Sequence, residues 1–168
     1  MKKIFALLLS VVAFMGVASA QNYMVVDSEK IFKSIKEYND AMTQLDNLAQ
    51  FCQQQVDAKF ADIEKLYNNY QLEKSSLSAS GRAARENDIL AKEAEAVKFQ
   101  ESLFGNEGTL MKKRIELIQP IQERVFKAIE SYAKANGFDL VLDIASNATM
   151  LYYSTAVNRT DDVIKLVK

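Results

Sequence analysis

Apolar side chains return every three or four positions between residues 36 and 136, and polar side chains fill the positions between them. This spacing is typical of amphipathic helix, and no strand-like alternation interrupts it. The stretch holds one Pro and three Gly, and most other residues in it favour helix. Its cluster of helix-breaking residues lies inside, at 75–81. We therefore predict two long helices, 36–77 and 82–136, which reverse direction at a tip near residues 75–81.

The first of these helices carries a regular apolar seam. Its members recur at steps of three and four residues, with a mean of about 3.5, which is typical of a coiled coil. They are Met42, Leu45, Ala49, Cys52, Val56, Phe60, Ile63, Tyr67 and Tyr70. The second helix is the expected partner of this seam. For Cys52 the favoured interpretation is a small buried apolar residue, and a redox or intermolecular role is the alternative.

Two irregularities interrupt the second helix. Gly105 and Gly108 each cost about 1 kcal/mol relative to Ala inside a helix. We interpret segment 105–108 as a soft point in a continuous helix rather than a true turn, because helical periodicity resumes at once. Pro120 lacks an amide donor and should kink the helix. At the tip, Ser78 or Ser80 can cap the next helix, and Gly81 permits the reversal.

Shorter elements precede and follow the long stretch. The residues 23–26 favour a strand, after which Asp27 or Ser28 can cap a helical turn. Apolar residues alternate through 138–144, and we predict that this strand forms a hairpin with a second strand at 149–153 through a turn at 146–147.

The ends of the last helices carry their own signals. Asn136 and Gly137 should end the second long helix in the left-handed conformation. Thr160 should begin a short terminal helix with acidic residues in its first turn. The predicted fold is thus α+β, with a helical hairpin arm (36–136) projecting from a small antiparallel β body (21–35 and 137–168).

The first twenty residues have the pattern of a secretory signal peptide. Lys2 and Lys3 precede a short apolar run, and the small residues at 18–20 fit cleavage after Ala20. The run is shorter than the ~20 residues that span a membrane, which argues against an uncleaved anchor. We therefore expect a periplasmic mature protein. Loss of the two Lys moves the net charge from −1 to −3, which argues against a nucleic-acid partner and leaves room for weak membrane-surface contact.

The composition argues against several kinds of chemistry. The chain has no His, so the commonest general base and metal ligand is missing. Its one Cys excludes an intramolecular disulfide and any metal site of several cysteines. The acids and lysines occupy solvated helical positions and form no catalytic constellation. We predict no enzymatic activity, no cofactor and no metal site, and expect binding or scaffolding.

The chain resembles the Skp, or OmpH-like, family of periplasmic chaperones. The resemblance covers essentially the whole mature chain and rests on the order and spacing of its segments. These segments are 25–32, the helical hairpin, 117–121 with Ala128 and Ile129, 138–143 and 161–165. It implies a jellyfish-like homotrimer whose helical arms surround a cavity for unfolded outer-membrane proteins.

Two surfaces are assigned from the sequence, one for trimer assembly and one for client binding. The body left outside the arm has about 47 residues, and chains of that size usually need association when metals and disulfides are absent. The trimer-core candidates are Val25, Val26, Phe32, Leu140, Leu142 and Ile144. The client-binding candidates, apolar or aromatic residues near the tip, are Tyr67, Tyr70, Leu72, Leu77, Ile89 and Leu90. Packing between the helices is the alternative for each of the latter.

Well-studied members of this family are strongly basic, whereas this chain is slightly acidic. Residues 60–100 hold six basic and seven acidic side chains, whereas 111–134 hold six basic and three acidic. Capture by broad electrostatic attraction is therefore not expected. A structural coiled-coil envelope protein without chaperone activity is the alternative function. An efflux-adaptor hairpin is disfavoured, since too few residues flank the arm for the additional domains of such adaptors.

Overall fold

The computed structural model describes residues 22–145 and 150–168. The predicted signal peptide and the turn at 146–147 lie outside these residues. Five helices and two strands follow one another, with a 3₁₀ turn at Thr155–Val157. They are β1 (Tyr23–Val26), α1 (Ser28–Lys33), α2 (Lys36–Glu73), α3 (Ala79–Phe104), α4 (Thr109–Ala135), β2 (Leu140–Asp143) and α5 (Thr160–Val167). Long helices with a small sheet confirm the α+β class.

These elements divide into two compact units. The body unit comprises the described residues before Ile35 and those from Val125 onward, and the hairpin unit comprises Ile35–Arg124. Helix α4 contributes to both. The predicted boundary of the arm, at residue 136, remains a prediction.

The strands of the body unit pair in parallel, with Val25 opposite Leu142. The predicted antiparallel body is therefore wrong for these two strands. A parallel pair needs a long crossover, and the four helices between β1 and β2 supply it. Residues 150–153, predicted as the second strand of a hairpin, form no strand, and Leu151 and Tyr152 are 95% and 85% exposed.

The core of the body unit is built on β1, where Met24, Val25 and Val26 are all buried. Helices α1 and α5 add Ile31 and Val163, both fully buried, and pack against each other. As predicted, Asp27 caps α1, since its Oδ1 accepts a hydrogen bond of 2.9 Å from the Lys30 amide. The continuous apolar run of β1 and the apolar face of α5 therefore produce one compact core.

Side-chain hydrogen bonds tie the start of the body unit to its end. The buried Thr160 hydroxyl accepts from the Asp27 amide at 2.9 Å and lies 2.6 Å from Asn158 Oδ1, to which it donates. Ser28 donates from its amide and its hydroxyl to the Asp143 carboxylate, at 3.0 and 2.6 Å. Segments more than a hundred residues apart in the chain are thus held together by polar groups.

The substitution Thr160→Val tests this tie. Valine has nearly the shape of threonine but leaves the Asp27 amide without its acceptor, which costs about 1–3 kcal/mol when the amide is buried. We expect a lower melting temperature by circular dichroism. Thr155→Val is the matched control, because Thr155 is exposed. Equal melting temperatures for the two variants would contradict the assigned role of Thr160.

The buried seam of α2 follows a slightly different line from the predicted one. It consists of Ala41, Leu45, Cys52, Val56, Ile63 and Tyr70. Met42, Phe60 and Tyr67 were assigned to the seam but are exposed. Steps of three and four residues are shared by two adjacent helix faces, so the sequence pattern did not distinguish Ala41 from Met42. Cys52 is buried, in agreement with its favoured interpretation.

The tip differs from its prediction in one detail. Ser78 caps α3, as one of the two predicted alternatives, because its Oγ accepts from the Gly81 amide at 3.1 Å. Gly81 itself lies in the first turn of α3 rather than in the reversal. The chain instead reverses within 74–78, where the Ser76 amide donates to the carbonyl of Glu73 at 2.9 Å. A flexible glycine is therefore not needed for this reversal.

The interpretation of 105–108 as a soft point in a continuous helix is wrong. Helix α3 ends at Phe104 and α4 begins at Thr109, so the segment is a true turn. A Cβ on Gly105 would lie 2.5 Å from the Glu101 carbonyl oxygen, and one on Gly108 would lie 2.7 Å from that of Leu103. At these two positions the backbone lies too close to a preceding carbonyl for any residue other than glycine.

Two other predictions concern the returning helix, at Pro120 and at Gly137. Helix α4 continues through Pro120, and the kink there stays a prediction. Gly137 has a φ of +67°, which confirms the predicted left-handed end of the helix.

Candidate functional site

The last turns of α2 and the first turns of α3 form an open groove beside the tip. Its volume is about 400 Å³. The lining residues from α2 are Tyr67, Tyr70 and Gln71, with Lys74 directly after the helix, and those from α3 are Glu86, Ile89, Leu90 and Glu93. Four of the six client-binding candidates therefore meet at one surface. We call it the tip groove.

A small apolar cluster forms the floor of the tip groove. Ile63 and Tyr70 from α2 pack with Ile89 and Ala96 from α3, and Leu66 and Leu77 pack against them. In each helix the two buried members are seven residues apart, so the facing pairs stay in register. Three of the candidates, Tyr70, Leu77 and Ile89, thus hold the hairpin together.

Polar contacts orient the ring of Tyr70 within this cluster. Its hydroxyl donates a hydrogen bond to the Glu86 carboxylate, and Lys74 Nζ lies 5.4 Å from the centre of its ring. The hydrogen bond to Glu86 raises the pKa of Tyr70 above its ordinary value, and burial adds to this shift. The shift extends the range of alkaline pH over which the Tyr70 hydroxyl keeps its proton and can donate it to this hydrogen bond.

The other three candidates face outward. Tyr67, Leu72 and Leu90 are 50%, 82% and 61% exposed. Tyr67 and Leu90 line the same groove from opposite helices, and Leu72 lies near the end of α2. These side chains have little role in closing the hairpin, so they remain available to another molecule.

Other exposed apolar residues of the hairpin were not among the candidates predicted from the sequence. Val97 and Phe104 follow Leu90 at steps of seven residues along α3, and all three are exposed. Phe51 and Phe60 of α2 are exposed as well. The seven-residue spacing is visible in the sequence, but spacing alone does not indicate whether such a series is buried or exposed. The exposed apolar surface therefore extends well beyond the tip groove.

The charges of the tip groove nearly balance. Lys74 lies among the acidic side chains of Glu86 and Glu93. Arg85 is paired with Glu73 across the hairpin at 3.6 Å. Both side chains of this pair are about half exposed, and such pairs contribute little to stability. No large field of one sign results.

The trimer-core candidates occupy two kinds of position in the body unit. Val25 and Val26 are buried within the single chain, whereas Leu140 is 51% exposed. Phe32, Leu142 and Ile144 are half-buried, and the Phe32 ring packs edge-to-face on Phe126 with centroids 6.4 Å apart. The structure thus separates core residues of the chain itself from residues that can face a partner.

A second apolar groove adjoins β2. Its volume is about 360 Å³, and it is lined by Phe126, Ile129, Glu130, Ala133, Lys134, Phe138, Asp139 and Val141. Among the residues that the structure describes, β2 pairs with β1 alone, so its other edge offers backbone donors and acceptors. Exposed Phe126 and Leu140 and this open edge make the region the strongest candidate for assembly.

Metal-binding groups and membrane-spanning helices are two further features that bear on function. Within 22–145 and 150–168, no group of three His, Cys, Asp or Glu side chains is placed to hold a metal ion. Within the same residues, no helix is long and apolar enough to cross a membrane.

Comparison with known proteins gives consistent matches. The sequence model of the family described as outer membrane protein (OmpH-like) matches residues 22–167. The chain is 27% identical to a Chaperone protein Skp from Yersinia enterocolitica, covering 89% of this chain and 87% of that protein. A Chaperone protein Skp from Pectobacterium atrosepticum is 27% identical, with coverage of 91% and 89%. An uncharacterized protein from Aquifex aeolicus is 28% identical, with coverage of 98% and 95%.

Proposed function

The chain belongs to the OmpH-like family, and we propose that it is a periplasmic holdase chaperone. Its clients are unfolded outer-membrane proteins, which it binds through the hairpin unit and keeps from aggregating. Relatives named Chaperone protein Skp match along most of the chain and support this proposal.

The observation that carries the proposal is the combination of a filled seam and an exposed apolar surface on one hairpin. Ile63, Tyr70 and Ile89 already close α2 against α3. Tyr67 and Leu90 remain outside this packing although they are large and apolar. Exposed apolar area of this kind marks an interaction site in soluble proteins.

The shape of the tip groove suits a client without fixed structure. The groove is open and shallow, and its lining mixes aromatic, aliphatic and charged side chains. A specific small-molecule site would instead enclose most of its ligand. Unfolded chains present short apolar segments in many arrangements, so scattered weak contacts hold them better than one closed pocket.

The proposal includes assembly of the body unit into a homotrimer. The support is the open edge of β2 and the exposure of Leu140 in that strand. Leu151 and Tyr152 of the same unit are exposed as well. A two-stranded sheet is only marginally stable alone, and strands from neighbouring chains would extend it. Arms from three chains would then surround a shared space for the client.

The periplasmic location rests on the predicted signal peptide. Cleavage after Ala20 would release a mature chain that starts at Gln21. Intact mass measurement of the exported protein tests this step, since a product that retains Met1 in the membrane would contradict it.

An aggregation assay tests the function. An outer-membrane β-barrel protein is diluted from urea into buffer, with and without the mature protein, and light scattering is followed. We expect the protein to suppress scattering at stoichiometric amounts. Scattering that rises as fast as with an inert coiled coil would instead favour the structural envelope protein.

The salt dependence of binding distinguishes apolar from electrostatic capture. Salt screens exposed charges over about 8–10 Å but leaves apolar burial intact. Because the charges around the tip groove nearly balance, we expect client affinity to change less than about threefold between 50 and 300 mM salt. Fluorescence anisotropy of a labelled client measures this. A steep loss of affinity would point to the basic residues Lys112 and Arg114 of α4 instead.

A further inference from the structure

The hairpin has two broad faces, one on each side of the seam that joins α2 and α3. The tip groove lies on one of them, where Tyr67 and Leu90 line it from opposite helices. On the other face a smaller cleft is lined by Leu66, Asn69, Tyr70, Glu73, Arg85, Asp88 and Ile89. Tyr70 and Ile89, which are buried in the seam, border both. We call the two surfaces the groove face and the opposite face.

The groove face carries an apolar band that runs away from the tip. Phe60 precedes Tyr67 by seven residues, and Val97 follows Leu90 by seven. Residues seven positions apart lie on the same side of a helix, so Phe60 and Val97 extend the pair formed by Tyr67 and Leu90. All four side chains are between 39% and 61% exposed. We call these four side chains the apolar band.

Helices α2 and α3 keep their register along this band. Near the tip, Glu73 of α2 lies 3.6 Å from Arg85 of α3. Farther from the tip, Lys59 Nζ of α2 lies 4.9 Å from the centre of the Phe99 ring of α3. Between these two contacts each helix advances by 14 residues. The apolar band is therefore continuous across both helices.

Acidic side chains flank every member of the apolar band. On a helix surface the neighbours of a residue are those three and four positions away. At these positions each of the four band residues has at least one acidic neighbour, and none has a Lys or Arg. The acidic neighbours are Asp57, Glu64, Glu86, Glu93 and Glu101.

The carboxylates beside the band differ from those of the opposite face in their partners. Among the residues that the structure describes, none of the five forms an ion pair with a Lys or Arg side chain. On the opposite face, Glu73 pairs with Arg85, and Glu95 pairs with Lys92 at 3.4 Å. The near balance of charge over 60–100 therefore combines a mixed opposite face with a groove face that is acidic beyond Lys74.

An apolar band with carboxylates along it is complementary to a chain that combines apolar and cationic side chains. Lys and Arg have long apolar stems, which can lie along apolar surface while the charged end reaches a carboxylate. Hydrogen bonds between such ends and a carboxylate are about twice as strong as those between neutral groups. An acidic segment would bring like charges together at the same places, and so would a second copy of this face.

We propose that the groove face selects the client segments that it holds, and that it prefers segments in which apolar or aromatic residues stand beside Lys or Arg. This inference rests on the proposed function and adds to it a chemical class of client segment. A whole client contains segments of both charge signs. The preference therefore determines which segments lie on the apolar band and has little effect on the overall affinity.

Binding of three matched peptides tests the preference. The peptides share the same Leu, Phe and Tyr residues, and the positions between these hold Lys and Arg, Ser and Asn, or Glu and Asp. Fluorescence anisotropy with the mature protein gives each affinity at 50 and 300 mM salt. At 50 mM we expect the basic peptide to bind about tenfold more tightly than the acidic one, and at 300 mM we expect a smaller difference. Equal affinities at 50 mM, or tighter binding of the acidic peptide, would overturn the preference.

A charge variant of each face locates the preference. The groove-face variant combines Asp57→Asn, Glu64→Gln and Glu101→Gln. The opposite-face variant, which removes the same number of charges, combines Glu73→Gln, Asp88→Asn and Glu95→Gln. All six positions are exposed, and circular dichroism melting checks that both variants fold.

The two variants should differ in their choice between the basic and the acidic peptide. We expect the groove-face variant to reduce the preference to less than about threefold and the opposite-face variant to leave it intact, because the carboxylates nearest to a bound segment act most strongly on it. An equal loss in both variants would mean that net charge alone is responsible, and would overturn the role of the groove face.

The preference and the proposed function fail separately. Suppression of client aggregation together with equal affinity for the three peptides supports the holdase and refutes the preference. A basic peptide that binds most tightly and loses its advantage in the groove-face variant, with no suppression of aggregation, supports the preference and refutes the holdase.

Discussion

Val25→Asp is expected to unfold the body unit and to remove the proposed trimer with it. Val25 is 1% exposed, pairs with Leu142 of β2 and bridges to Asn158 on its other side. An unpaired carboxylate at this position costs on the order of 4 kcal/mol, a large part of the total stability of a small unit. Circular dichroism melting and light scattering of the purified variant measure the two effects.

Leu140→Asp is the matched substitution on the same sheet. Leu140 is half exposed within the chain, so a carboxylate there remains hydrated and the body unit should still fold. Within the proposed trimer the same carboxylate would face a neighbouring chain, and we expect a folded monomer. A Leu140→Asp protein that remains trimeric would contradict this interface, and a folded Val25→Asp protein would contradict the assigned core.

The triple substitution of Tyr67, Leu72 and Leu90 by Ala should weaken client binding about a hundredfold. Each exposed side chain is taken to contribute about 1 kcal/mol of apolar contact, and 1.4 kcal/mol is tenfold in affinity. Alanine favours helix, so the melting temperature should not fall. Fluorescence anisotropy with a labelled unfolded barrel gives the affinity.

Two controls make this result specific. Replacing exposed Asn68, Gln71 and Glu93 by Ala alters the same region without removing apolar area, and client affinity should stay unchanged. Ile89→Ala should lower the stability of the hairpin, because Ile89 belongs to the buried cluster. If the triple variant binds as tightly as the unaltered protein, clients are held elsewhere. The exposed side chains of Val97 and Phe104 on α3 are then the next candidates.

Much of the fold was accessible from periodicity and capping alone. The long helices follow from apolar spacing, and Asp27, Ser78 and Gly137 ended or began elements as local rules predict. These features depend on neighbours within a few residues, so the sequence contains the necessary information. The same holds for the terminal helix α5, which starts at Thr160 with two acids in its first turn.

Features that depend on distant partners were less accessible. The parallel pairing of β1 with β2 joins segments more than a hundred residues apart, and no local pattern specifies its direction. The break at 105–108 was not predicted, because helical periodicity continues in the sequence on both sides of it. The predicted hairpin partner of β2, at 149–153, had a suitable composition but forms no strand over the described 150–153.

The client-binding candidates near the tip stay a prediction, but the structure shows which of them are buried and which are exposed. Aromatic and aliphatic residues near the tip were identified, and the structure brings four of them to one groove. The sequence could not show that Tyr67 is exposed and Tyr70 buried, since the two residues are three positions apart on the same helix. Only the position of α3 decides that Tyr70 is buried against Ile89 while Tyr67 remains exposed.

Sedimentation velocity of the mature protein with a fluorescent, unfolded outer-membrane barrel tests the central claim most directly. The measurement reports the assembly state of the protein and the fate of the client in one experiment. We predict a monodisperse trimer, and a client that sediments with it as one defined complex after dilution from urea. Rapid sedimentation of the client as aggregate, with the protein left behind unbound, would contradict the account.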